Sequence, residues 1–145
     1  MPKSQKNNIV RIIDANINRA KEGLRVSEEI ARFLIASRSL TAQLKTARHR
    51  IDDLAVSLAS KVRLLSSRNS PADIGRTLHK YEIKRRDSRD IFFANIQRVK
   101  ESLRVLEEFS KLDHATTALQ FKKLRYSIYE TEKKIARRFG SLCGR

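Results

Sequence analysis

The sequence predicts an all-α protein, two related helical hairpins packed as a four-helix bundle with a long central linker. Three observations carry this expectation. Apolar residues recur at steps of three and four through four long stretches, the spacing of one face of an α-helix. Strand and turn formers are scarce, with four Gly, two Pro and no Trp among 145 residues that are 40% hydrophobic and 33% charged. Finally, the run Ala15-Asn-Ile-Asn-Arg-Ala-Lys-Glu-Gly-Leu-Arg-Val-Ser-Glu-Glu29 returns 79 residues later as Ala94-Asn-Ile-Gln-Arg-Val-Lys-Glu-Ser-Leu-Arg-Val-Leu-Glu-Glu108. Polar residues recur together with the apolar frame, so the halves are expected to share a polar task beside a packing task. At this length one domain over 1–145 is expected, with repeats at 9–65 and 88–138 and a linker at 66–87.

Ile13, Ile17, Ala20, Leu24, Ser27, Ala31 and Leu34 share one side of a first helix expected from about Ile9 to Ala36. Ser39 or Thr41 can cap a second, whose stripe is Leu44, Ala47, Ile51, Leu54, Leu58, Val62 and Leu65. Between Ser66 and Ser88 the periodicity fails. There, Ser70, Pro71 and Asp73 have the form of a helix start with proline in first position, cut short by Gly75. Such a turn can offer backbone amides to an anion, with Arg68, Arg76 and Thr77 as flanking donors, and the same residues equally fit an Asp capping a surface loop. A third helix, about Ser88 to Leu112, repeats the first with Phe92, Ile96, Val99, Leu103, Leu106 and Ser110 as its seam. Asp113 can cap a fourth that repeats the second, with Leu119, Leu124, Ile128 and Ile135 apolar and Lys45, Arg48 and Ile51 matched by Lys122, Arg125 and Ile128.

A row beside the first seam reads Ile12, Asn16, Arg19, Gly23, Val26, Ile30 and Phe33, and its counterpart reads Ile91, Asn95, Arg98, Ser102, Val105 and Phe109. In both, an Asn and an Arg interrupt a packing row, with a small residue one turn onward. A polar group half-buried there costs about 1 to 3 kcal/mol unless hydrogen-bonded. Each could cap or bridge a neighbouring helix, but duplication with pseudo-twofold symmetry would bring the two flanks together, so Asn16, Arg19, Asn95 and Arg98 are expected to open toward one shared cavity, Arg being suited to phosphate because its planar fork stays charged. Glu22, Glu29, Glu101 and Glu108 are candidates to orient those arginines, hold Mg²⁺ through water or accept a proton. For Arg25 and Arg104, ion ladders along the helix are the plainer reading.

The formal net charge of +16 favours polyanionic partners, among them nucleic acid, nucleotides and phosphorylated metabolites. The amino terminus lacks the apolar stretch of a signal peptide, and no run approaches the ~20 apolar residues of a membrane span, so a cytoplasmic protein without membrane contact is expected. There is no Walker loop, no GxGxxG and no zinc spacing; His49, His79 and His114 read as surface residues, and the lone Cys143 as a bystander thiol.

With Arg11-Ile-Ile-Asp-Ala-Asn-Ile-Asn-Arg-Ala-Lys-Glu-Gly-Leu-Arg-Val26, Asp73-Ile-Gly75, the second copy of the repeat and Leu124-Arg-Tyr-Ser-Ile-Tyr129 in order, nearly the whole chain resembles one bacterial family. This is the small helical domain fused ahead of thiamine-phosphate synthase, also found alone, and regarded as an alternative hydroxymethylpyrimidine-phosphate kinase. The sequence carries no synthase barrel, so the stand-alone form is expected. The resemblance implies phosphoryl transfer from ATP, with Mg²⁺, to 4-amino-5-hydroxymethyl-2-methylpyrimidine phosphate in thiamine synthesis. Its partners would be that pyrimidine, the nucleotide and thiamine-phosphate synthase, and a homo-oligomer is compatible with it. Carried over by motif, the catalytic candidates are Asp73, Arg19, Arg98, Glu22 and Glu101. The substrate-binding candidates are, by motif, Asn16, Asn95, Gly75, Arg125 and Tyr126, joined by Arg68 from the linker turn and Arg48 as the repeat counterpart of Arg125, with Asp73 as metal ligand. Where the family linker reads Arg-Asp-Thr, this chain has Arg68-Asn-Ser70, so the metal-binding carboxylate is assigned to Asp73. Two rival readings are a basic RNA-binding module, opposed by carboxylates interleaved with the repeated arginines and by few aromatics, and a non-catalytic partner of thiamine enzymes.

Overall fold

The computed structural model describes residues 1–77 and 83–143, with side chains given up to residue 140; His79 and the Cys143 side chain lie outside the described residues. The described residues form five α-helices in order: α1 (Lys3–Glu29), α2 (Arg38–Leu58), α3 (Lys61–Ser67), α4 (Ser88–Ser110) and α5 (Ala115–Cys143). The described residues contain no strand. α1 pairs most extensively with α4, α2 flanks α1, α5 flanks α4, and α2 meets α5. This is the duplicated-hairpin bundle that the sequence predicts.

The seams of α1 and α4 pack as expected: Ile13, Ile17, Ala20, Leu24, Phe92, Ile96, Val99, Leu103 and Leu106 are buried. Leu34 departs from the expected stripe and is 55% exposed. The last turns of the first helix are π-helical over Ile30–Ile35, which adds a residue to the turn and brings Ile35 to the core in its place. The segment ends at Ala36 in the left-handed conformation, φ 56°, while the Ser37 N–H donates to the Ala31 carbonyl.

Ser37, and neither Ser39 nor Thr41, caps α2, its Oγ accepting from the Leu40 N–H. The second predicted helix is in fact two. Ala59 is extended and Ser60 caps a new start, its Oγ accepting from the Arg63 N–H. α3 then turns back onto α1, burying Leu64 and Ser67 and leaving the expected core residues Val62 and Leu65 in solvent. On α5, Phe121 and Ala118 are buried where Leu119 was expected, and the first intrahelical bond runs to the His114 carbonyl, one residue beyond Asp113.

Gly23 fixes the crossing of α1 and α4. A Cβ there would lie 2.7 Å from Val99 Cγ2 and 2.8 Å from the Asn95 carbonyl oxygen. The small residue one turn beyond the Asn and Arg thus admits the neighbouring backbone. Ser102, its repeat counterpart, is likewise buried.

Two buried carboxylates, Glu28 and Glu107, hold the hairpins together at equivalent positions. Arg48 Nε donates to Glu28 Oε2 at 3.0 Å, and Arg125 Nη2 to Glu107 Oε2 at 3.1 Å. Burial alone would push the Glu107 carboxyl up, but hydrogen bonds from Arg104 and Arg125 outweigh it and hold it below the usual carboxylate range. A depressed folded value means that the stabilisation is complete above the unfolded pKa and fades as pH falls through the folded one. Glu107→Gln is therefore expected to cost about 2 kcal/mol at neutral pH. The melting-temperature gap between variant and wild type should close as the pH is lowered below about 4.

Candidate functional site

A cleft of about 540 Å³ lies between the first half of α1 and the start of the linker. α1 contributes Asn8, Arg11, Ile12, Asp14, Ala15, Asn16 and Arg19; the linker contributes Arg68, Asn69, Ser70 and Asp73; α4 contributes Val105. Four sequence candidates, Asn16, Arg19, Arg68 and Asp73, thus meet in one concavity, although 54 residues separate Asp73 from Arg19 in the chain. The volume lies within the ~300 to 1,000 Å³ usual for small-molecule sites.

Arg19 is exposed and has no ion-pair partner among the described residues. Asn16 is buried, and its Nδ2 donates to the Ile12 carbonyl at 2.8 Å, which leaves Oδ1 as an acceptor at the cleft wall. Arg11 reaches across to the linker, its Nη2 donating to the Asn69 carbonyl at 3.4 Å. Behind these residues Asp14, only 6% exposed, takes Arg68 side-on, Nε to Oδ2 at 2.8 Å and Nη2 to Oδ1 at 2.9 Å. The hydrogen bonds that Arg68 donates to Asp14, then the charge of that carboxylate, raise the guanidinium pKa against an opposing burial effect, and Glu22 adds a weaker attraction.

The proline-led turn is present as a single 3₁₀ turn over Ser70–Ala72. At three residues it has no helix dipole of consequence, so of the two readings of this segment the Asp-capped surface loop is the one seen. Asp73 Oδ1 accepts from the Gly75 N–H at 2.9 Å, stabilising the loop that follows and leaving Oδ2 uncommitted among the described residues. Among the described residues no three His, Cys, Asp or Glu side chains cluster as a metal site. Mg²⁺ takes most of its ligands from phosphate and water, so a single carboxylate such as Asp73 is compatible with it.

The second repeat does not converge on this cleft as expected. Asn95 and Arg98 are not among its lining residues, and Asn95 Nδ2 donates to its own helix at the Ile91 carbonyl. Arg98 and Glu101 lie two turns and one turn before Val105 on α4, and Glu101 lines a separate groove with Gln97, Lys100, Arg104, Arg125 and Tyr129, accepting from Gln97 Nε2 at 3.2 Å. The remaining candidates lie elsewhere. Arg48 and Arg125 are the partners of Glu28 and Glu107, and the Arg125 guanidinium lies over the ring of the exposed Tyr126 at 5.2 Å. Glu22 is exposed beside the cleft, and Gly75 stands just past it.

Sequence reasoning missed Asp14, Arg11, Asn8 and Asn69. One signal for Asp14 was legible in the repeat: its counterpart is Phe93, a carboxylate against a ring at otherwise matching positions.

A family model described as the ThiD2 family matches residues 11–134. Among curated proteins, the chain is 36% identical to a thiamine-phosphate synthase of Rhodopirellula baltica, covering 100% of this chain and 39% of that protein. It is 42% identical to a thiamine-phosphate synthase of Synechocystis sp. (86% of this chain, 35% of that protein) and 38% identical to one of Nostoc punctiforme (92% and 38%). The chain therefore spans little more than a third of the length of these relatives. No solved structure matches it significantly. No helix among the described residues is long and apolar enough to cross a membrane.

Proposed function

The chain belongs to the ThiD2 family, and we propose that it transfers a phosphoryl group from ATP to 4-amino-5-hydroxymethyl-2-methylpyrimidine phosphate, as a step in making thiamine. The observation that carries this reading is the meeting of Arg19, Arg68, Asn16 and Asp73 in one cleft with an apolar wall of Ile12, Ala15 and Val105. The names of the relatives, thiamine-phosphate synthases along whose length this segment recurs, agree with it.

The chemistry requires positioning and charge stabilisation more than proton transfer. The nucleophile is an oxygen of the pyrimidine phosphate, ionised near pH 7, so no general base is needed. That oxygen forms a bond to the γ-phosphorus of ATP while the bond to the β,γ-bridging oxygen breaks and ADP leaves. Arg19, with Arg11 and the Nη1 of Arg68, which has no partner among the described residues, supplies donors around the two phosphates. Asn16 Oδ1 accepts from the exocyclic amine, since its own amide N–H is occupied by the helix. The pyrimidine ring lies on the apolar wall. Asp73 would hold Mg²⁺ through Oδ2, the ion neutralising charge on the nucleotide phosphates.

The test is product analysis after incubating the purified chain with ATP, Mg²⁺ and the pyrimidine phosphate. The proposal expects ADP and the pyrimidine diphosphate in equal amounts, with no ADP when the pyrimidine is withheld. Absence of turnover together with absence of binding of either substrate by calorimetry would replace it with the non-catalytic partner reading.

A further inference from the structure

Although the chain is a duplication, its two halves differ where the cleft is built. Asp14 in α1 corresponds to Phe93 in α4, and Arg11 to Asp90. In the second half the Phe93 ring packs 5.3 Å from Phe92 and 6.3 Å from Phe139, so the space is filled by aromatic contacts with α5. In the first half the same position carries a buried carboxylate that grips the linker. The described linker beyond Ser67 is otherwise exposed through Thr77, and its two side-chain ties to α1 are the Asp14 pair and the long Arg11 to Asn69 bond.

The manner of the grip matters chemically. Asp14 occupies Nε and Nη2 of Arg68, the side of the guanidinium fork, and leaves Nη1 uncommitted among the described residues. A guanidinium held on one side by a buried carboxylate loses little further freedom on meeting an anion. We propose that Asp14 is a positioning residue that docks the linker on α1 and aims Arg68 Nη1 at the phosphate of the ligand. The duplicated chain then carries one phosphate site, in its first half. The inference rests on the reading of the cleft as a site for a phosphorylated pyrimidine and adds the residue that organises it.

Calorimetric titration with 4-amino-5-hydroxymethyl-2-methylpyrimidine phosphate tests this with wild type, Asp14→Asn, Arg68→Ala, the double variant and the charge swap Asp14→Arg/Arg68→Asp. Wild type is expected to bind one ligand per chain. Each single variant should weaken binding at least about tenfold, and the double variant should bind no more weakly than Arg68→Ala, because both changes remove one device. The swap should restore wild-type resistance of the linker to limited proteolysis without restoring affinity, since the guanidinium then issues from α1. Two ligands per chain, undiminished affinity in Arg68→Ala, or affinity recovered by the swap would each overturn the proposal while leaving the proposed reaction standing. Failure of wild type to bind the pyrimidine phosphate would remove both. If Asp14→Asn loses its helical circular dichroism, the charge swap, which keeps the ion pair while moving the guanidinium to α1, decides the outcome.

Discussion

Arg19→Ala is expected to lower the rate of ADP formation with the pyrimidine phosphate by about 100-fold or more, the usual cost of removing one preorganised donor from a developing anionic charge. The expectation is sharp because this side chain has no structural duty. Arg19 is exposed and unpaired among the described residues, so its removal should leave the melting temperature nearly unchanged. Arg68 differs, since its loss also strands the buried Asp14 carboxylate. A matched pair of measurements, turnover and thermal melting, separates lost ligand contact from lost fold. Arg19→Lys should recover only part of the rate, keeping the charge and losing the fork. Wild-type turnover in Arg19→Ala would remove this residue from the phosphate clamp.

Gly23→Val is expected to destabilise the protein by about 3 kcal/mol, lowering the melting temperature by roughly 10 °C. The first atom added already meets Val99 Cγ2 at 2.7 Å and the Asn95 carbonyl oxygen at 2.8 Å, and the latter, being backbone, moves only if α4 moves. Gly23→Ala has a smaller expected cost, about 1 kcal/mol, because alanine recovers part of the clash through its higher helix propensity. Because the crossing also sets where Val105 meets the cleft, the valine variant should bind the pyrimidine phosphate less tightly even at temperatures where it remains folded. A melting temperature equal to wild type would show that the helices are not in contact at Gly23.

The architecture was legible because helix-period stripes and a duplication are local signals, and burial of Leu24, Ile51, Val99 and Ile128 is their direct consequence. Where the reading slipped, a backbone event intervened. The π-helical turn exchanges Leu34 for Ile35, and the break at Ala59 exchanges Val62 and Leu65 for Leu64. A wheel drawn at a constant 100° per residue cannot register an inserted turn residue or a cap within an apolar run. Of the candidate site, Asn16 and Arg19 are legible as polar residues interrupting an apolar row, and Arg68 and Asp73 as parts of the proline-led turn in the linker. Glu28 and Glu107 were not, since in sequence they are indistinguishable from the neighbouring Glu29 and Glu108 on an amphipathic helix. Asp14 was hidden by the weight given to what the repeats share. Its partner Arg68 lies 54 residues away in an aperiodic linker, a contact set by the reversal of α3 alone.

The most direct test is backbone amide mapping by nuclear magnetic resonance, practicable for a chain of 16.8 kDa, during titration with the pyrimidine phosphate. The largest shifts are expected at Arg11, Asn16, Arg19 and the segment from Arg68 to Asp73, with Val105 as the principal responder on α4. Shifts confined to α2 and α5, or equal responses at Asn16 and Asn95, would contradict a single ligand cleft in the first half of the chain.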